Sequence, residues 1–272
     1  MNENKHEKVL LCIDNAAGFK VLQYLACRPQ VDVVAAIAHP RHNATQLDEI
    51  EALCALRGIP VIEIADARSR FDELIAPLEP DFLVSIYFDY ILDDRFIKLP
   101  GKDAINLHPG YLPYNKGFYY YAWAVLDGTP AGVSIHRIAS EVDAGPVISQ
   151  KLVLIDGTDT GDIIYDKHVA ASVELFELTW PCLEAGSYKV FRQLHRGTRK
   201  KISETNQALE IDPYATYVAR DLINMLRVFS FSGSGGCTMQ IDGKKYRIGV
   251  EFSEAIDNIN RTLGKRDNYL VG

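Results

Sequence analysis

Asn106 and His108 close a short apolar run, and Asp143 stands thirty-five residues beyond the histidine in Glu141-Val142-Asp143-Ala144-Gly145-Pro146. Residues two apart on a strand project to the same face, so the carboxamide and the imidazole share one side of whatever strand carries them. A Gly/Pro-rich turn between two later strands can bring the carboxylate to the same cleft. Groups of these types offer N–H donors to an oxygen that gains negative charge, and a base with a pKa near the operating pH. Spacing alone favours the other reading, a hydrogen-bonded structural histidine, a turn asparagine and a loop acid.

The elements that must position these groups follow from hydrophobic periodicity. Residues 9–13 read as a strand, and Phe19, Leu22, Leu25 and Ala26 recur at helical spacing until Arg28-Pro29 stops the helix. Residues 31–38 are a Val, Ala and Ile run suited to a strand buried on both faces, followed by a turn at His39-Pro40 and a helix carrying Leu47, Ile50, Leu53 and Leu56. Residues 61–64, 82–86 and 104–107 are further strands, with a helix over 71–78 between the first two. This alternation predicts an α/β fold with a doubly wound, mostly parallel sheet. Ligands bind such sheets beyond the carboxyl ends of the strands, here the segments after Ile13, Ile86 and Leu107. Asp14-Asn15-Ala16-Ala17-Gly18 is not G-x-G-x-x-G, and no G-x-x-x-x-G-K-[ST] occurs, which argues against a dehydrogenase or a P-loop enzyme. Residues 132–138 and 146–154 read as two strands of a mixed or antiparallel extension, and a long helix covers 160–183. Residues 239–248 read as a hairpin with an Asp-Gly turn. A boundary near Glu204 divides the chain into a catalytic domain, 1–204, and a small C-terminal β-hairpin region, 205–272.

Composition narrows the function classes. With 47% hydrophobic and 24% charged residues over 272 positions, the chain has the make-up of a globular domain. A net charge of −7 argues against nucleic acid as partner, because phosphate binding needs clustered Lys and Arg. Apolar runs fall far short of the roughly 20 residues that span a bilayer. Residues 1–8 are polar and lack the apolar segment of a secretory signal, so the expectation is a cytoplasmic protein without a membrane partner. Five cysteines, Cys12, Cys27, Cys54, Cys182 and Cys237, include no C-x-x-C pair and are expected as reduced, mostly buried thiols. Cys12, at a strand end, reads as a small core residue rather than a nucleophile.

The stretch Asn106-Leu107-His108-Pro109-Gly110-Tyr111-Leu112-Pro113 with Gly117 after it, then Gly132-Val133-Ser134-Ile135-His136 and Glu141-Val142-Asp143-Ala144-Gly145-Pro146-Val147-Ile148, closely resembles the folate-dependent formyltransferases. These include glycinamide ribonucleotide transformylase and methionyl-tRNA formyltransferase. Three motifs stand in the family's order and spacing, and the likeness covers roughly residues 8–184. It implies a Rossmann-like fold that binds N10-formyltetrahydrofolate as formyl-donating co-substrate, with no metal, and Asn106, His108 and Asp143 as the catalytic set. Formyl transfer to an amine passes through a tetrahedral intermediate whose oxygen becomes negative, and one preorganised donor is worth ~3 to 4 kcal/mol. Asn106 and His108 are the expected donors. His108 tuned by Asp143, or Asp143 acting through water, is the expected proton relay. The same resemblance lays the pterin against Phe88, Tyr90, Ile91 and Leu92 and against Ile138, Ala139, Ser140, Glu141, Val142 and Asp143, largely through backbone groups. Tyr90 departs from the basic residue of some relatives, and Ile91 and Leu92 read equally well as core. His136 matches a family position and reads as a structural strand residue.

The continuation past the catalytic domain selects among acceptors. It is too long for a typical glycinamide ribonucleotide transformylase and, with about forty-five residues after Arg227, too short for the C-terminal barrel of the tRNA enzyme. The resemblance therefore points to sugar N-formyltransferases that act on nucleotide-linked amino sugars, in which a short C-terminal hairpin builds a homodimer. The acceptor expected is a dTDP-linked 3- or 4-amino-dideoxyhexose destined for surface polysaccharide. A methionyl-tRNA formyltransferase-like enzyme with a truncated C-terminal domain and a non-catalytic folate-binding regulatory protein are the alternatives. Lys116, Tyr119, Tyr121 and Trp123 are the expected acceptor contacts. Arg199, Lys200 and Lys201 read as diphosphate contacts or as a solvated basic run, and 232–236 as a phosphate cradle or a flexible turn.

Overall fold

Alternate residues of the first strand, β1 (Glu7–Ile13), are buried on opposite sides, Val9, Leu11 and Ile13 in one apolar cluster and Leu10 and Cys12 in another. A strand buried on both faces reads as an unbroken apolar run, and helices must cover both of its sides. The computed structural model describes residues 6–232 and 234–254. β1 is joined by β2 (Val31–Ala38), β3 (Val61–Glu63), β4 (Phe82–Ile86), β5 (Asp103–His108), β6 (Gly132–Arg137) and β7 (Val147–Leu152). The sheet order is β3-β2-β1-β4-β5-β6-β7. β1 to β5 run parallel, and β6 and β7 are antiparallel to their neighbours.

Helices Asn15–Ala26, Leu47–Arg57 and Gly161–Glu184 cover one face, where Ile13, Leu22, Ile50, Phe176 and Trp180 are buried. The shorter helices Ile64–Ser69, Phe71–Leu74 and Asp94–Lys98 cover the other through Ile64, Phe71 and Phe96. Full burial of each such side chain contributes ~1.5 to 3 kcal/mol, so the sheet is a rigid platform. The doubly wound expectation holds, with local corrections. Ile64 opens a helix instead of ending β3, and the single helix expected over 71–78 is a short α-turn followed by a 3₁₀ turn with Pro77 in its first positions. β7 stops at Leu152, leaving Leu154 83% exposed outside the sheet.

Beyond the long helix, the chain forms helices Ile202–Ala208 and Ala219–Val228 and a hairpin of Cys237–Ile241 and Lys244–Ile248. Asp242 and Gly243 both have positive φ, 49° and 74°, as a two-residue hairpin turn requires. Glu204 lies inside helix Ile202–Ala208, and its carboxylate accepts the N–H of Lys201. This region packs on helix Tyr120–Leu126 through a third cluster containing Tyr120, Tyr121, Ile211, Val228 and Phe229. Among the described residues no helix is long and apolar enough to cross a membrane. The cysteines are free. Cys12, Cys54 and Cys237 are buried as expected, whereas Cys27 and Cys182 are exposed. Burial pushes the Cys12 thiol far up, as befits a core residue.

Candidate active site

β5 pairs with β4 on one side and β6 on the other, which sets Asn106 opposite His136 and His108 opposite Ser134. The loop joining β6 to β7 returns over these residues. At its turn Asp143 takes a left-handed φ of 53°, and at Gly145 a Cβ would stand 1.8 Å from the Arg137 carbonyl oxygen. The fold back is closed by the Arg137 N–H donating to the Pro146 carbonyl at 2.9 Å.

This geometry delivers the Asp143 carboxylate to the end of β5. One oxygen accepts the Gly117 N–H at 3.0 Å and lies 3.5 Å from His108 Nδ1. The other lies 3.4 Å from both Asn106 Nδ2 and His136 Nε2. Asn106, His108 and Asp143 therefore meet, and His136 meets them as a fourth group. The carbonyl partners fix both rings. His108 Nε2–H donates to the Asn115 carbonyl at 3.0 Å, leaving Nδ1 to face Asp143. His136 Nδ1–H donates to its neighbour's carbonyl, Arg137, at 2.8 Å, leaving Nε2 to accept from Asn106 at 3.2 Å. The second N–H of Asn106 is held only by the long 3.4 Å contact with Asp143.

Burial would raise the Asp143 pKa, but His108, His136 and the Gly117 N–H outweigh it and hold the acid below the usual carboxylate range. Burial lowers the His108 pKa, and the adjacent carboxylate opposes this without cancelling it. The pair at rest is an anionic acid beside a neutral imidazole with a free nitrogen, the arrangement of a general base. Lys116 stands between the two residues that bind the pair. Only 6% exposed, it makes no side-chain hydrogen bond or ion pair among the described residues, and burial lowers its pKa.

On one flank, Phe88, Tyr90, Leu92 and Ile138 share an apolar cluster, so the two loops expected to hold a pterin adjoin. Ile91 projects, 69% exposed, while Leu92 is core. Among the described residues the backbone N–H groups of Ala139, Ser140, Glu141 and Val142 have no protein acceptor. On the other flank, Tyr119 is half-buried and Tyr121 packs against Phe231. Trp123 is buried, donates to Thr205 Oγ1 at 3.1 Å and carries Lys200 Nζ 4.0 Å above its ring. Its indole serves as an anchor for the C-terminal region, and Trp123 and Tyr121 are buried to the same degree, 8% and 7% exposed. Of the two readings of 232–236, Ser232 fits the turn. Ser232 N–H and Oγ both donate to the Asp162 carboxylate, and Gly233 lies outside the described residues. A cavity of about 400 Å³ lined by Phe82, Lys102, Arg137 and Tyr188 opens at the amino ends of β4 and β5, away from all these groups.

The sequence gives His136 a strand but no partner, because only the antiparallel register of β5 and β6 sets it opposite Asn106. Asn115, Gln193 and Thr198, which bond the loops around the pair, carry no signal in the sequence.

Residues 2–178 match the formyl transferase family, and residues 204–254 match the N-formyltransferase dimerization C-terminal domain. A GDP-perosamine N-formyltransferase of Brucella melitensis biotype 1 is 27% identical over 233 residues, covering 85% of this chain and 88% of the relative. A 4-N formyltransferase from Francisella tularensis superposes with a TM-score of 0.78 at 20% identity, covering 91% of this chain and 98% of that one. An N-formyltransferase from Helicobacter canadensis, solved with folinic acid and dTDP-3-aminofucose, gives a TM-score of 0.69 at 19% identity, covering 88% and 85%. Both structures share the fold of this chain.

Proposed function

Because the chain belongs to the formyl transferase family over residues 2–178, we propose that it moves a formyl group from N10-formyltetrahydrofolate to the amino group of a nucleotide-linked amino sugar. The observation that carries this reading is the convergence of Asn106 and His108 on the Asp143 carboxylate, 3.4 Å and 3.5 Å away, at the carboxyl end of β5. The folate, when bound, supplies a formyl carbon on its N10 nitrogen. The chain's part is to orient and move protons. His108, its Nε2–H tied to Asn115, accepts the acceptor amine's proton at Nδ1, where Asp143 stabilises the resulting imidazolium, and the proton returns to the leaving N10 nitrogen as the formyl C–N10 bond breaks and tetrahydrofolate is released. Asn106 turns its weakly held second N–H to the formyl oxygen as that oxygen becomes negative. The unpaired N–H groups of Ala139, Ser140, Glu141 and Val142, with the rings of Phe88 and Tyr90, fit a flat heterocycle with polar edges.

Acceptor contacts are assigned to Lys116, Tyr119, Tyr121 and Trp123, of which Lys116 lies between Asn115 and Gly117, the two residues that bind the pair. The acceptor proposed is a dTDP-linked 3- or 4-amino sugar for surface polysaccharide. The names of the Francisella enzyme and of the Helicobacter complex support it, while the name of the Brucella relative keeps GDP-linked sugars in the test. The region 205–272, of which 255–272 lie outside the described residues, is assigned to homodimerisation. The domain match and the exposed Tyr214, Val218 and Ile223 support this.

The test is tetrahydrofolate release from N10-formyltetrahydrofolate with a panel of amines. Turnover is expected with nucleotide-linked amino sugars and not with methionyl-tRNA, and turnover with the tRNA alone overturns the reading. His108→Asn and Asp143→Asn should each lower kcat ~100-fold or more while folate affinity stays near that of the parent. Near-normal turnover in both removes the mechanism.

A further inference from the structure

The chain between the long helix and helix Ile202–Ala208 lies outside the formyl transferase match, yet it is bonded to the loops that carry both members of the catalytic pair. Within it Arg192, Leu194, His195, Arg196 and Gly197 are exposed, whereas Gln193 and Thr198 turn inward. Gln193 Nε2 donates to the carbonyls of Asp143 and Gly145, both at 2.8 Å. Thr198 Oγ1 accepts the Asn115 N–H at 2.8 Å, its carbonyl accepts the Lys116 N–H at 3.0 Å, and its N–H donates to the Pro113 carbonyl at 3.2 Å. The tripeptide so held contains the Asn115 carbonyl that takes His108 Nε2–H and the Gly117 N–H that binds Asp143. Gly197 permits the approach, because a Cβ there would lie 1.7 Å from the Pro113 carbonyl oxygen.

A connector that merely crossed the surface would have no use for two inward polar side chains spent on these backbone groups. We infer that Gln193 and Thr198 are positioning residues for formyl transfer, fixing Asp143 and His108 relative to each other through the loops that carry them. The inference rests on the assignment of His108 and Asp143 as catalytic. It also gives the C-terminal region a route to the chemistry. Lys200 and Lys201 follow at once, and Thr205 one turn later holds Trp123.

Gln193→Met and Thr198→Val keep side-chain volume and remove the side-chain hydrogen bonds, leaving the two backbone bonds of Thr198 in place. In the full chain each should lower kcat about tenfold to a hundredfold, the scale of a catalytic group misplaced by a fraction of an ångström to an ångström. KM for donor and acceptor, thermal midpoint and far-UV circular dichroism should stay near those of the parent, a split that general loosening would not give. Thr198→Ser, which restores the hydroxyl, should recover most of the kcat. Should Gln193→Met fail to fold, Gln193→Glu is read in its place, since it keeps the shape and turns an acceptor toward the two carbonyls. Asp143→Asn is assayed beside them. If it abolishes turnover while the Gln193 and Thr198 variants match the parent, the positioning role is overturned and the catalytic assignment stands. If Asp143→Asn also turns over normally, the assignment itself fails.

Discussion

Asp143 and Gly145 answer one backbone demand from two sides. The acid sits at a φ of 53°, and two residues later the chain passes so close to Arg137 that a Cβ would come within 1.8 Å of its carbonyl oxygen and 3.4 Å of His136 Nδ1. That carbonyl is the acceptor that fixes the His136 ring. Gly145→Ala should therefore disturb His136 and Asp143 together, lowering kcat ~100-fold at a stability cost of ~1 to 3 kcal/mol. Steady-state rates with a urea titration check this, and an unchanged kcat would mean that the loop adapts without moving the acid. The same residues mark the limit of what the sequence discloses. Two-residue spacing on a strand puts Asn106 and His108 on one face, but structural histidines share that spacing, so only the resemblance tied them to Asp143. Gln193, Thr198 and Asn115 act on or through main-chain groups, and such bonds leave no side-chain pattern to read.

At the scale of elements, strands buried on both faces were legible because an unbroken apolar run has few other uses. Helix Tyr120–Leu126 was not, since Tyr-Tyr-Ala-Trp-Ala-Val has no polar side to give it a period and five of its residues are buried. The long helix Gly161–Glu184 carries a histidine in its buried stripe. His168 donates from Nδ1 to the Ile164 carbonyl at 2.8 Å, and its ring lies 5.1 Å from that of Tyr120. Burial pushes its pKa down to about 4 from the ordinary 6.5, despite the carbonyl's opposing pull. In the unfolded chain the ring takes a proton as pH falls through 6.5, while in the fold it remains neutral until about 4. The folded state therefore loses ~3 kcal/mol across that window through this group alone. His168→Leu lacks the titration, so the parent's stability relative to the variant should fall by that amount between pH 6.5 and 4, read as urea midpoints. A difference independent of pH would show that the imidazole titrates normally in place.

The molecule as a whole has no seam where its two matched regions meet. The third apolar cluster joins Tyr120, Tyr121 and Ile164 of the catalytic part to Ile211, Val228, Phe229 and Cys237 of the C-terminal part. Polar bonds cross at the same place. Arg227, 5% exposed, donates to the carbonyls of Asp156 and Asp159 before the long helix, and Trp123 donates to Thr205. Removing either side would leave an apolar face and buried donors without partners, so each side is destabilised by loss of the other. The expected consequence is one cooperative transition. The chain's two tryptophans can report on it from separate places, because Trp123 sits at the junction and Trp180 stacks on Phe176 in the main core. In Trp180→Phe, urea unfolding followed by Trp123 fluorescence should coincide with unfolding followed by far-UV circular dichroism. In Trp123→Phe, the Trp180 signal should do the same. A Trp123 signal that moved at lower urea than the dichroism would mean that the C-terminal part detaches first, and the shared core would then be too weak to bind the two regions into one unit.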